Sequence, residues 1–114
     1  MMIYLASPYS HDEERIRIRR YIATREFTWH HLQMGVALFS PIVYCHQFAR
    51  DFGAGIDAVT WLHLNEPMLS MAREMWVLEL DGWRESAGVR WEMDFAKQLS
   101  IPVTMKEPLP HAPV

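Results

Sequence analysis

Apolar residues in this chain fall into short unbroken runs, separated by longer stretches where they recur every three or four positions. Ile3-Tyr4-Leu5-Ala6 is the first run, closed by Ser7-Pro8. An unbroken apolar run suits a strand covered on both faces, because neither side then meets water. From His11 to Met34 the chain is rich in Arg and Glu, with Ile18, Ile22, Arg25, Trp29 and Leu32 at helical spacing and Gly35 where a helix would end. This predicts a long helix. Val36 to Phe39, stopped by Ser40-Pro41, predicts a second strand, and the segment from Tyr44 to Gly55 has room for a short helix. Asp57 to Arg73 carries Trp61, Leu64, Met68, Leu69 and Ala72 at helical spacing, with Pro67 marking a break or the first turn of a further helix. Met75 to Leu80 predicts a strand, Ser86 to Leu99 a helix, and Val103 to Met105, introduced by Ile101-Pro102, a last strand.

Strands alternating with helices imply βαβ units with right-handed crossovers. The expected class is α/β: one domain over residues 1–106, with a parallel sheet of four to five strands flanked by helices in a Rossmann-like or flavodoxin-like three-layer arrangement. The tail 107–114 holds Pro108, Pro110 and Pro113 and is expected to be extended or frayed.

Composition narrows the function classes. At 114 residues there is one core and no room for a separate lid domain. Half the residues are apolar and 22% charged, as in soluble globular proteins. Five Trp and eight Met supply large side chains for the core and for a subunit interface, so a homodimer or higher even oligomer is expected. A net charge of −3 gives no general attraction to a polyanion, which argues against a nucleic-acid polymer as partner but leaves a small anionic substrate open. The single Cys45 excludes an internal disulfide and a multi-cysteine zinc site. No run approaches the ~20 apolar residues that span a bilayer. MMIYLASPYS lacks a basic leader and reads as a first strand rather than a signal peptide, so the expectation is a cytoplasmic protein without a membrane partner.

In a parallel sheet, three loops meet at one edge: Ser7-Pro8-Tyr9-Ser10, Ser40 to His46, and Asp81 to Ser86. Such convergence makes a crevice. No G-x-G-x-x-G and no Walker lysine motif is present, so a dinucleotide or triphosphate site is disfavoured and no cofactor is expected. The richest stretch is Met75 to Leu99, which runs from a strand through a polar loop into a helix, where free N–H groups and the helix dipole favour anions. There Ser86 can cap the helix, Gly88 lets a ligand approach the backbone, and Glu92 lies nearly two turns along. A capping serine, a glycine and a solvated glutamate would give the same pattern.

The other polar clusters read as structural. His30 and His31 are adjacent and point to different helix faces, His46 and His63 form no H-E-x-x-H, and no metal site is expected. Cys45-His46 reads as a buried thiol beside a surface imidazole rather than a nucleophile and base, since sequence neighbours rarely face each other. Arg15, Arg17, Arg19, Arg20 and Arg25 read as a solvated helix face paired with Glu13, Glu14 and Glu26; the alternative sets one of them near a substrate phosphate where the first strand meets the helix. Trp76 reads as core, and Trp83 and Trp91 as packing residues or a surface for stacking a base.

YLASPYS, SPIVYCH and LDGWRESAGVRWE together resemble the nucleoside 2-deoxyribosyltransferase superfamily, which includes deoxynucleoside and nucleotide N-glycosidases. The likeness runs from about Met2 to Val103 and is greatest to a small bacterial and phage branch of unassigned function, DUF1937-like. It implies that S-x-G-V-x-x-E, here Ser86 to Glu92, ends in the catalytic glutamate, and that the aromatic opening the family's first motif is Tyr4. Ser7-Pro8 stands where Gly-Pro or Gly-Ser is usual. The implied reaction is attack of an ionised Glu92 on the anomeric carbon of a 2′-deoxynucleoside or its 5′-monophosphate, with Ser86 and the N–H groups around Gly88 holding the 5′ end and Ser7, Pro8, Tyr9, His46 and Asp81 lining the small-molecule site. One position departs from the pattern. Where relatives present an aspartate that positions or protonates the base, the preferred register puts Asn65, an amide with no proton to give. Glu66 or Asp81 could take that role, or the chain could be a non-catalytic nucleotide-binding module; an α/β domain serving only partner binding is a third possibility.

Overall fold

The computed structural model describes residues 1–52 and 58–110, with the backbone alone at 58–60. Asp57, expected to open the third helix, the end of the Tyr44-to-Gly55 segment and Pro113 of the tail lie outside the described residues. Four strands, β1 (Ile3–Ala6), β2 (Leu38–Phe39), β3 (Glu74–Leu78) and β4 (Val103–Lys106), form one sheet in the order β2-β1-β3-β4. Every pairing is parallel, with Tyr4 facing Phe39 on one side and Met75 on the other. The helices are α1 (Glu14–Gln33), α2 (Pro41–Phe52), α3 (Ala58–Ser70) and α4 (Ala87–Gln98), and a 3-10 turn covers Trp83–Glu85. This is the expected α/β architecture. The chain winds outward in opposite directions from β1 and β3, so the switch-point crevice opens between their carboxyl ends.

Alternation along the central strands divides the core into two layers. Ile3 and Leu5 of β1 and Trp76 and Leu78 of β3 pack under α1 through Ala23 and Phe27. Tyr4, Ala6, Met75 and Val77 face the other way, toward Leu69 and Ala72 at the end of α3 and Val89 and Ala96 of α4. Trp76 is core, as expected, with Phe27 edge-on to it and the Lys106 ammonium over its ring. Leu109 of the proline-rich tail packs against the α1 layer rather than fraying.

Several local expectations are corrected. The residues whose spacing signalled α1 are not its buried ones: Ile18 and Leu32 are exposed and Trp29 is 61% exposed, whereas Ala23, Thr24, Phe27 and Thr28 are buried. Small side chains let the helix sit close to the sheet, and the two threonine hydroxyls donate to carbonyls one turn back, Thr24 to Arg20 and Thr28 to Thr24, which removes the cost of burying them. Gly35 does end α1: at φ +85° it follows Met34, its N–H donates to Leu32 O, and the Val36 N–H donates to His31 O, a Schellman closure.

Pro41 does not stop β2 but opens α2, with Ser40 Oγ accepting from the Val43 N–H; proline suits the first helical position because its missing N–H would be unpaired there anyway. Pro67 neither breaks nor starts a helix. It sits on the exposed side of α3 near its end, where the Met71 N–H reaches the Pro67 carbonyl and Ser70 Oγ donates to the Glu66 carbonyl. β2 is shorter than expected, and β3 ends at Leu78, so Glu79 and Leu80 begin the loop.

Candidate active site

Tyr4 lies in the middle of β1 with its side chain on the α4 side of the sheet. Ser86 caps α4 by accepting from the Val89 N–H at 3.2 Å, which fixes the first turn and turns Val89, Glu92 and Ala96 inward. These two elements bring the Tyr4 hydroxyl to Glu92, to whose Oε2 it donates at 2.5 Å. Both residues are buried, Tyr4 completely and Glu92 to within 8%. Loss of water pushes the Glu92 carboxyl up to about 8, against the pull of the Tyr4 hydrogen bond, which favours the charged form. The Tyr4 phenol is driven far above its ordinary range by burial and by the facing carboxylate, so it stays a donor. Burial therefore favours the protonated form of Glu92 at neutral pH in the free protein. The standing carboxylate expected of a nucleophile is thus a minority form before a ligand enters.

The β1–α1 loop comes next. Ser7 and Pro8 are buried, and Ser7 Oγ lies 3.4 Å from the Thr24 hydroxyl oxygen. Tyr9 OH and His46 Nδ1 are 2.7 Å apart, which ties this loop to α2. Tyr21 stacks on the His46 ring at 3.9 Å, with the Arg25 guanidinium over the Tyr21 ring. Burial and the nearby Arg50 and Arg25 hold His46 below its ordinary value, so it stays a neutral imidazole that can accept from Tyr9. Cys45 is buried and its thiol is pushed up to about 12, which leaves it inert.

The remaining residues singled out by sequence are less tightly held. Asp81 is exposed; its carbonyl, not its carboxylate, is engaged. Gly88 is exposed in the first turn of α4, and an added Cβ would meet nothing closer than Ser86 Oγ at 3.9 Å, so packing does not demand glycine there. Asn65, on α3, carries a buried Oδ1 without a partner, while the neighbouring Glu66 is exposed. Among the described residues no hydrogen bond or ion pair joins Asn65, Glu66 or Asp81 to the Tyr4–Glu92 pair. Trp83 packs against the α4 layer under Arg84, and Trp91 stacks on Phe95 at 5.2 Å.

The basic run of α1 differs most from expectation. Arg15 pairs with Glu13, but Arg17 donates to the carbonyls of His11 and Asp12, and Arg20 donates to those of Ser10 at 2.9 Å and Asp81 at 3.1 Å. These two guanidiniums therefore hold loops rather than acidic side chains. The sequence signal was the spacing of Arg17, Arg20 and Thr24 along one helix face, but backbone carbonyl partners leave no mark in a sequence. Beside Arg20 lies a cavity of about 350 Å³ lined by His11, Ile16, Arg19, Leu80, Asp81 and Gly82. It opens on the α1 side of the crevice, and of the site residues read from sequence only Asp81 lines it.

The fold and this site define a parallel α/β domain with a buried acid–phenol pair between its central strand β1 and helix α4. The chain belongs to the family described as a domain of unknown function, DUF1937, whose model matches residues 1–107. No curated protein matches the chain. No helix among the described residues is long and apolar enough to cross a membrane.

Proposed function

We propose that this domain cleaves the N-glycosidic bond of a 2′-deoxynucleoside or its 5′-monophosphate, as an N-glycosidase or deoxyribosyltransferase with Glu92 as nucleophile. The observation that carries the reading is the buried Tyr4–Glu92 hydrogen bond between β1 and α4. A carboxylate there attacks C1′ of the sugar as the bond from C1′ to the base nitrogen breaks; the bonding pair leaves with the base, which takes up a proton. Water or a second base then attacks C1′ of the glycosyl ester, and Glu92 recovers its carboxylate.

The raised value of Glu92 suits a site that is charged on demand. Positive charge growing on the sugar ring favours the carboxylate, and Tyr4 donates to the oxygen that bears the charge. Ser86 and the N–H groups around Gly88 would hold the 5′ end at the α4 terminus. The unpartnered Asn65 Oδ1 would accept from an N–H of the base, an acceptor role that needs no proton transfer.

A second reading is a nucleotide-sensing module of the same fold. It is favoured by the amide at Asn65 and by the mostly protonated Glu92 of the free protein. Incubation with a panel of 2′-deoxynucleosides and their 5′-monophosphates, with free base measured by chromatography, separates the two. Release that Glu92→Gln abolishes supports the enzyme, whereas saturable binding without release identifies the sensor.

A further inference from the structure

Arg20 occupies an unusual place for a helix-surface arginine. It is half-buried in the second turn of α1, and its two terminal nitrogens reach backbone on two different loops: Nη1 donates to Ser10 O, in the loop after β1, and Nη2 to Asp81 O, in the loop after β3. Those are the two loops that flank the switch-point crevice. The space for this reach is built in. Gly82 adopts φ +89°, and a Cβ there would lie 2.5 Å from Arg20 Nη2, so a side chain at 82 and the guanidinium could not share the place.

The grip extends along α1, because Thr24 meets Ser7 one turn further on and Arg17 meets His11 and Asp12 one turn before. The helix and the loop run antiparallel, and three helix residues spaced three and four apart hold the loop over residues 7–12. Only Arg20 also reaches across to the second loop. Downstream of Asp81 the chain passes through the Trp83–Glu85 turn to Ser86, whose cap sets the orientation of α4 and hence of Glu92.

We propose that Arg20 is a positioning residue of the candidate active site, clamping the Tyr9 loop and the loop leading to Ser86 in one register. Its planar fork gives each carbonyl its own nitrogen at a fixed separation, whereas a lysine ammonium carries all its donors on one atom and loses that fixed spacing. The clamp lies on the α1 side of the sheet and the Tyr4–Glu92 pair on the α4 side, so its influence on Glu92 passes through the loop that leads to Ser86. The kinetic part of the proposal rests on the glycosidase reading, and the structural part does not.

The test compares wild type with Arg20→Gln and Arg20→Lys, each checked for folding by circular dichroism, using backbone amide order parameters and base release from 2′-deoxynucleoside 5′-monophosphates. In Arg20→Gln the order parameters of Tyr9 to Asp12 and of Leu80 to Glu85 fall together from about 0.85 toward about 0.6, while those of β1 and β3 hold. In Arg20→Lys one loop stays ordered and the other loosens. Base release drops about tenfold in kcat/KM for Arg20→Gln and recovers in part for Arg20→Lys, with the acid limb set by Glu92 unmoved.

Order parameters unchanged in both loops, or lowered in one alone for Arg20→Gln, would overturn the clamp. Loosened loops with unchanged kcat/KM would overturn its positioning role. A wild type that releases no base would instead refute the glycosidase reading, and the order parameters alone would then decide the clamp.

Discussion

Burial of Glu92 makes a thermodynamic prediction that needs no substrate. In the folded protein its carboxyl is pushed up to about 8, whereas in the unfolded chain it returns to the ordinary 4.5. Between those values the unfolded state has released its proton and the folded state has kept it, so the folded state binds more protons and stability falls as pH rises. The full contribution is present below about pH 4.5 and is gone above about pH 8. At about 1.4 kcal/mol per tenfold step in proton affinity, the gap corresponds to about 5 kcal/mol, comparable with the whole stability of a marginal domain. His46, held below its ordinary value, acts in the opposite direction and mainly below pH 6.5, and the buried Cys45 thiol enters only near pH 9, so the range from about pH 6.5 to 8 belongs to Glu92. The assay is urea unfolding followed by tryptophan fluorescence from pH 5 to 9, in wild type and in Glu92→Gln, which has no proton to lose. The wild-type midpoint should fall from about pH 6.5 to 8 and level off above, while the variant stays nearly level over the same interval. A wild-type midpoint that is level from pH 6 to 9, or a variant that falls in parallel with it, would refute the assignment of this proton to Glu92.

Four further outcomes follow from the site geometry. Tyr4→Phe removes the hydrogen bond that favours the Glu92 carboxylate, so the acid limb of base release should move to higher pH; an unmoved limb would mean that the pair does not govern the reaction. Asn65→Asp should raise base release by about 10²- to 10⁴-fold if the proton-donor role is vacant, whereas a loss in Glu66→Gln or Asp81→Asn instead would give the role to that carboxylate. Gly88→Ala should leave the fold intact or stabilise it by up to about 1 kcal/mol, because nothing crowds the new Cβ, yet weaken binding of a 5′-monophosphate; unchanged affinity in titration calorimetry would remove Gly88 from the site. Self-association through the exposed Ile18, Trp29 and Leu32 stripe of α1 should appear in light scattering as an even multiple of 13.4 kDa and collapse to monomer in Trp29→Glu, and a wild-type monomer at micromolar concentration would sink it.

What could be read in the chain depended on whether the cause was local. β1 and β3 announce themselves because a strand covered on both faces has no polar position to hide, and the Ser86 cap and Gly35 stop are local hydrogen-bond chemistry written in single residues. The buried face of α1 was not legible, because periodicity rewards large apolar residues. The sheet instead selected small ones, and threonine hydroxyls that bond one turn back count as polar on any scale yet bury without penalty. Ser40-Pro41 misled for a related reason: proline ends one element and begins another with equal ease, and the deciding fact was Ser40 Oγ accepting from Val43 three residues on.

For the site the division runs between motif and distance. Glu92 and Tyr4 were each placed by motif resemblance, but their contact spans 88 positions and depends on β1 and α4 packing on one side of the sheet, which no spacing rule encodes. The raised value of Glu92 is a consequence of that packing alone, since the same glutamate on an open helix face would titrate normally. Arg20 shows the reverse failure: its residue type suggested acidic partners, and its true partners are carbonyls that every residue carries. A sequence marks the groups able to do chemistry; whether they are dry, paired or held apart is decided by the elements packed around them, here by one tyrosine, one capping serine and one forked guanidinium.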